Sequence, residues 1–132
     1  MKQIIFSLLF VGLISGFTQP TSVKYPMVIK FQSICCGVPD DAPLKEMIRK
    51  FKKQYKIKTL KATHIGPMGK EGEYYLAFSL KGMTTKQKLN FKKKIRTLVP
   101  LMKDNGLATL EENITLNSAD LPSRATSTTV NF

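Results

Sequence analysis

Residues 44–55 read LKEMIRKFKKQY, and their spacing organises everything around them. Leu44, Met47, Ile48, Phe51 and Tyr55 recur at the helical period, giving one apolar stripe. Lys45, Arg49, Lys52, Lys53 and Lys56 fall off that stripe, so the segment is an amphipathic helix with a basic outer face. Asp40 or Asp41 supplies its N-cap, and Pro43 is tolerated in the first turn, where the amide it lacks has no intrahelical partner. Upstream, residues 27–35 (MVIKFQSIC) mix β-branched and aromatic side chains in loose alternation and stop at Gly37 and Pro39, which predicts a strand.

Downstream, residues 57–65 (IKTLKATHI) and 73–80 (EYYLAFSL) alternate as two further strands, with Tyr74, Leu76, Phe78 and Leu80 on a core face. The glycine- and proline-bearing loop 66–72 joins them as a hairpin. A second helix opens at Thr84, where Thr84-x-x-Gln87 fits a capping box, and carries Phe91, Ile95, Leu98, Val99 and Met102 as its stripe. Pro100 predicts a kink, with the end near residue 104 before Asn105-Gly106. Residues 107–116 complete a βαββαβ order. The expected fold is α+β: a ferredoxin-like two-layer sandwich, with a four-stranded antiparallel sheet and two helices on one face. It forms a single domain over residues 24–116, with its other face open. Residues 117–132 (NSADLPSRATSTTVNF) read as a flexible Ser/Thr-rich tail.

The first segment carries a different signal. Lys2 is its sole charge, an apolar run covers residues 4–14, and Ser15, Gly16 and Thr18 follow. That run falls short of the ~20 apolar residues of a membrane span, so residues 1–19 read as a secretory signal peptide, cleaved somewhere in 16–22. The expected location is periplasmic or extracellular. Losing the segment removes one of 21 basic residues and none of 9 acidic ones, so the net charge of +12 is almost wholly a property of the exported chain. A length of 132 residues excludes a multidomain enzyme, and an apolar fraction of 42% excludes wholesale disorder.

The charge is concentrated. Between residues 45 and 61 eight basic residues face the single acid Glu46, and between residues 86 and 103 seven basic residues face none. With both helices on one side of a sheet, Lys45, Arg49, Lys52, Lys53, Lys56, Lys92, Lys93 and Arg96 form one anion-binding surface. The bland alternative is a set of solvated helical faces. Against it stand the like-charge pairs Lys45/Arg49, Arg49/Lys53, Lys52/Lys56 and Lys88/Lys92, each costing ~0.2–0.5 kcal/mol. The partners that suit this face are anionic surfaces or polymers, including peripheral contact with acidic membranes. Lysine outnumbers arginine, favouring diffuse attraction over bidentate recognition. Nucleic acid is disfavoured: Tyr75 beside Lys30 and Gln32 could stack a base, but no RNP1 pattern is present and export removes the usual ligands.

Cys35 and Cys36 adjoin Gly37 at the junction of the first strand and helix. Their placement resembles that of the metal cysteines in heavy-metal-associated domains, but the Cys-x-x-Cys motif of that family is missing, so its metal transfer is not carried over. Neighbouring strand residues point to opposite faces, so the two thiols can converge only if the backbone turns there. With His64, a soft ligand near the hairpin loop, they form an alternative reading: a periplasmic thiol- or soft-metal-handling protein for copper or zinc. Packed or ordinary free thiols are the plain alternatives. Acids are sparse and explained by caps, loop and strand edge, so the leading expectation is a non-enzymatic binding domain without a cofactor.

Overall fold

The computed structural model describes residues 21–132; the expected signal peptide lies outside them. The elements are β1 (Ser22–Ser33), α1 (Ala42–Tyr55), β2 (Lys61–Gly66), β3 (Tyr74–Ser79), α2 (Thr85–Leu98), β4 (Gly106–Asn117) and β5 (Thr126–Asn131). All strand pairings are antiparallel, in the order β4-β1-β3-β2-β5. Among the described residues no helix is long and apolar enough to cross a membrane.

The main core lies between the helices and one sheet face. Leu44, Ile48 and Phe51 of α1 and Phe91 and Ile95 of α2 pack with Met27, Ile29, Phe31, Leu76 and Phe78. Each such side chain stabilises the fold by ~1.5–3 kcal/mol relative to exposure. Phe91 sits at the centre, its ring 5.2 Å from Phe51 and 5.7 Å from Phe78, both edge-on. The predicted capping box is present: the Gln87 amide donates to the Thr84 hydroxyl at 3.2 Å, and the Thr84 amide donates to the Gln87 side chain at 2.8 Å. At the other helix Asp41 occupies the cap position without a side-chain capping bond, while the Ala42 amide donates to Asp40 at 3.0 Å.

Several expectations are corrected. The sheet has five strands, so the four-stranded ferredoxin-like sandwich does not describe it. The extra strand comes from the segment read as a flexible tail: β5 pairs with β2 from Lys61↔Asn131 to Gly66↔Thr126. The Phe132 ring then stacks on Phe78, with centroids 5.9 Å apart. The physical reason is that β2 would otherwise be a bare edge, and Thr128, Thr129 and Val130 have the β-branched side chains that suit a strand. The sheet face away from the helices is not bare. Val28, Ile65 and Ala77 are buried there under Tyr25, Met68, Tyr75, Ile114 and Leu121, a second and smaller apolar cluster. Finally, α2 stops at Leu98 and a single 3₁₀ turn, Val99–Leu101, absorbs Pro100 instead of a kinked helix running to residue 104.

Candidate functional site

The basic residues do occupy the outer helical faces, but acids already engage several of them. Lys45 lies 2.8 Å from Asp41 one turn earlier. Arg49 donates two hydrogen bonds to Glu46, at 2.8 and 2.7 Å, and Lys50 reaches the same carboxylate at 3.4 Å. These cations hold the Glu46 carboxyl down at about 2, with the Arg49 hydrogen bond the largest cause. Lys52 turns inward and donates to the Phe132 carbonyl. On α2, Lys92 and Arg96 converge on Glu112 of β4, at 3.2 and 2.6 Å. That carboxyl is lowered below the usual range, chiefly by the hydrogen bond from Arg96.

Of the eight residues assigned to the anion-binding surface, Lys53, Lys56 and Lys93 are exposed and carry no ion pair among the described residues. Lys86 and Lys94, on α2, join them. Lys93 and Lys94 border a groove of about 500 Å³ between the two helices, whose walls include Met47, Tyr55, Leu98 and the exposed Leu101. Asn90 crosses that groove to donate to the Tyr55 hydroxyl at 2.8 Å, fixing the helix spacing. The free positive charge is therefore narrower than the sequence suggests. It centres on α2 rather than spreading evenly over both helices.

The cysteines and His64 are not brought together. Cys35 and Cys36 lie past the end of β1, exposed and free, with their Sγ atoms 2.7 Å apart. The bend Gly37 permits, at φ +116°, lies directly beyond them. The Cys35 thiol is pushed up from its ordinary value, first by its hydrogen bond with Cys36, then by desolvation and the nearby Glu71 charge. His64 is instead within β2, in register with Leu76, its ring stacked on Tyr74 at 4.7 Å. Tyr74 stacks in turn on Phe31 at 4.4 Å and donates to Asp41 at 3.3 Å. Among the described residues no group of three or more His, Cys, Asp or Glu is placed to hold a metal ion. The two cysteines thus lie in a turn past the end of β1, while His64 is a strand residue engaged in an aromatic stack.

Tyr75 does lie on the face away from the helices, with the Lys30 ammonium 5.2 Å from its ring centre. That ammonium is also bound to Glu111 at 2.6 Å, and the ring packs against the Val28–Ala77 cluster. It is occupied in packing rather than presented as a stacking platform. Glu112 and the Phe132 carbonyl engage three of the eight surface residues, contacts that helical spacing does not reveal because strand pairing and packing bring them to the helices. No protein-family model, no curated protein and no solved structure matches the chain.

Proposed function

We propose that the protein is a small exported, non-enzymatic binding domain that holds anionic surfaces or polymers against the exposed face of α2. The observation that carries this reading is the charge of that helix: six basic residues and no acid, of which, among the described residues, only Lys92 and Arg96 are engaged by a carboxylate from elsewhere. Exposed ammonium groups on a rigid helix attract polyanions over about 8–10 Å at moderate ionic strength. Since Lys93 and Lys94 have no ion pair among the described residues whereas Lys45 and Arg49 are bound to Asp41 and Glu46, the two sets should differ in effect. Retention on a heparin column at low ionic strength is expected, falling steeply with added salt. Lys93→Glu with Lys94→Glu should abolish most of it, and Lys45→Gln with Arg49→Gln should change it little. Weak retention of the unaltered protein at low salt would remove the reading.

A second reading, thiol or soft-metal handling, is favoured by one fact: both cysteines are exposed and adjacent in space as well as in sequence. Two sulfur ligands could capture a Cu(I) or Zn(II) ion, with further ligands coming from outside the chain. Because the Cys35 proton is held more tightly than usual, capture should strengthen as pH rises. Intact mass with each ion, with and without reductant, decides it. Two reduced thiols and no metal adduct would exclude the metal role.

A further inference from the structure

A second basic surface differs in kind from the helix face. Where the first residues of β1 pass the end of β3 and the start of α2, a cleft of about 520 Å³ opens. Val23, Tyr25, Leu80 and Leu89 supply apolar lining, and Lys24, Lys81, Lys88 and Lys92 supply four ammonium groups with no acid among the lining residues. Leu89 is 62% exposed and Val23 45%, so large apolar side chains stand in water amid the positive charge. Lys92 has Glu112 as a partner; Lys24, Lys81 and Lys88 have no ion pair among the described residues.

These features select an occupant by chemistry. A hydrated polyanion would satisfy the lysines but leave the exposed leucine and valine wet. A neutral apolar molecule would cover those side chains and leave three ammonium groups unanswered, while a cationic one would be repelled. The size falls within the ~300–1,000 Å³ of small-molecule clefts. We propose that this cleft binds a soluble single-chain amphiphile with an anionic head, of the fatty-acid carboxylate class. Its chain lies against Val23, Tyr25 and Leu89, and its head sits among Lys24, Lys81 and Lys88, whose flexible stems also cover the chain. Lys53, Lys56, Lys93 and Lys94 do not line this cleft, so the inference does not rest on the polyanion reading.

Amide NMR titration of the purified protein with dodecanoate, kept below its micelle concentration, tests it. The expected result is saturable shifts at residues 23–25 and 85–92, with no comparable response to dodecyl maltoside or dodecyltrimethylammonium. Lys24→Gln combined with Lys88→Gln should weaken dodecanoate about three- to tenfold, from the modest energy of exposed charge pairs. Leu89→Gln should also weaken it. All three positions are exposed, so these variants keep the fold. The pair Lys93→Glu and Lys94→Glu should leave the dodecanoate affinity within about twofold, as expected for sites without shared partners. Equal binding of the cationic chain, shifts scattered away from the cleft, or a response only to vesicles of acidic phospholipid would each overturn the proposal.

Discussion

Glu112 is the residue on which two cations of α2 converge, and it ties that helix to the edge strand β4. Arg96 grips it through two nitrogens, at 2.6 and 3.0 Å, a bidentate geometry that fixes direction as well as distance. Its carboxyl titrates below the ordinary range in the folded chain and near ~4.3 once unfolded. A depressed folded value means that the charged form stabilises the fold above the unfolded value, and that this contribution is lost as pH falls toward the folded one. Glu112→Gln should therefore lower stability at neutral pH by about 0.5–1 kcal/mol, the range for a well-aligned surface pair. The gap between the two proteins should close on acidification below about 4.3. Urea unfolding at a series of pH values checks this. A gap of constant size would assign Glu112 a packing role instead. Gly106, at the start of the same strand, illustrates a purely steric constraint: a Cβ there would overlap the Gln32 carbonyl oxygen across the β1–β4 pairing. Gly106→Ala should cost about 1–3 kcal/mol, because the atom in the way is backbone and cannot swing aside.

At the scale of elements, helices and central strands were legible because their signals are local. The stripe from Leu44 to Tyr55 needs only the helical period, and the Thr84–Gln87 box needs only a spacing of three. β5 was illegible because its β-branched residues permit a strand without requiring one. Its Ser/Thr-rich sequence has one large apolar anchor, Phe132, and the feature that recruits it is the unpaired edge of β2, some sixty residues earlier. The candidate site divides along the same line. Pairing of Arg49 with Glu46 follows from helical spacing, whereas Lys52 with Phe132 and Arg96 with Glu112 depend on which strand lies beside which helix. The cleft under Leu89 is likewise assembled from three separate elements. If β5 is held by its ladder and by Phe132 together, Phe132→Ala should destabilise the protein by about 1–3 kcal/mol, less than a fully buried phenylalanine would. Hydrogen exchange should speed up specifically along β5 and β2. Unchanged exchange there would show that the backbone ladder alone holds the strand.

Across the whole molecule the decisive quantity is the imbalance between cations that have partners and those that do not. The sequence carries 21 basic and 9 acidic residues, and the six ion pairs among the described residues bring together only part of the positive set. Each exposed pair contributes ~0.2–1 kcal/mol, a gain that salt reduces. Opposing it, each like-charge neighbour at helical spacing costs ~0.2–0.5 kcal/mol, and salt relieves that cost as well. The short-range terms thus nearly cancel, leaving the longer-range repulsion of a net +12 charge on a small fold. That repulsion acts over distances comparable with the screening length, which shrinks from ~30 Å at 0.01 M to ~8 Å at 0.15 M. Screening should therefore relieve repulsion more than it weakens pairs in contact, and the melting temperature should rise by a few degrees over that salt range. The same screening weakens polyanion binding, so stability and affinity should move in opposite directions as salt is added. Calorimetric melting beside column retention measures both on one protein. A melting temperature that falls with salt would mean that the pairs at Glu46 and Glu112 outweigh the surplus charge around them.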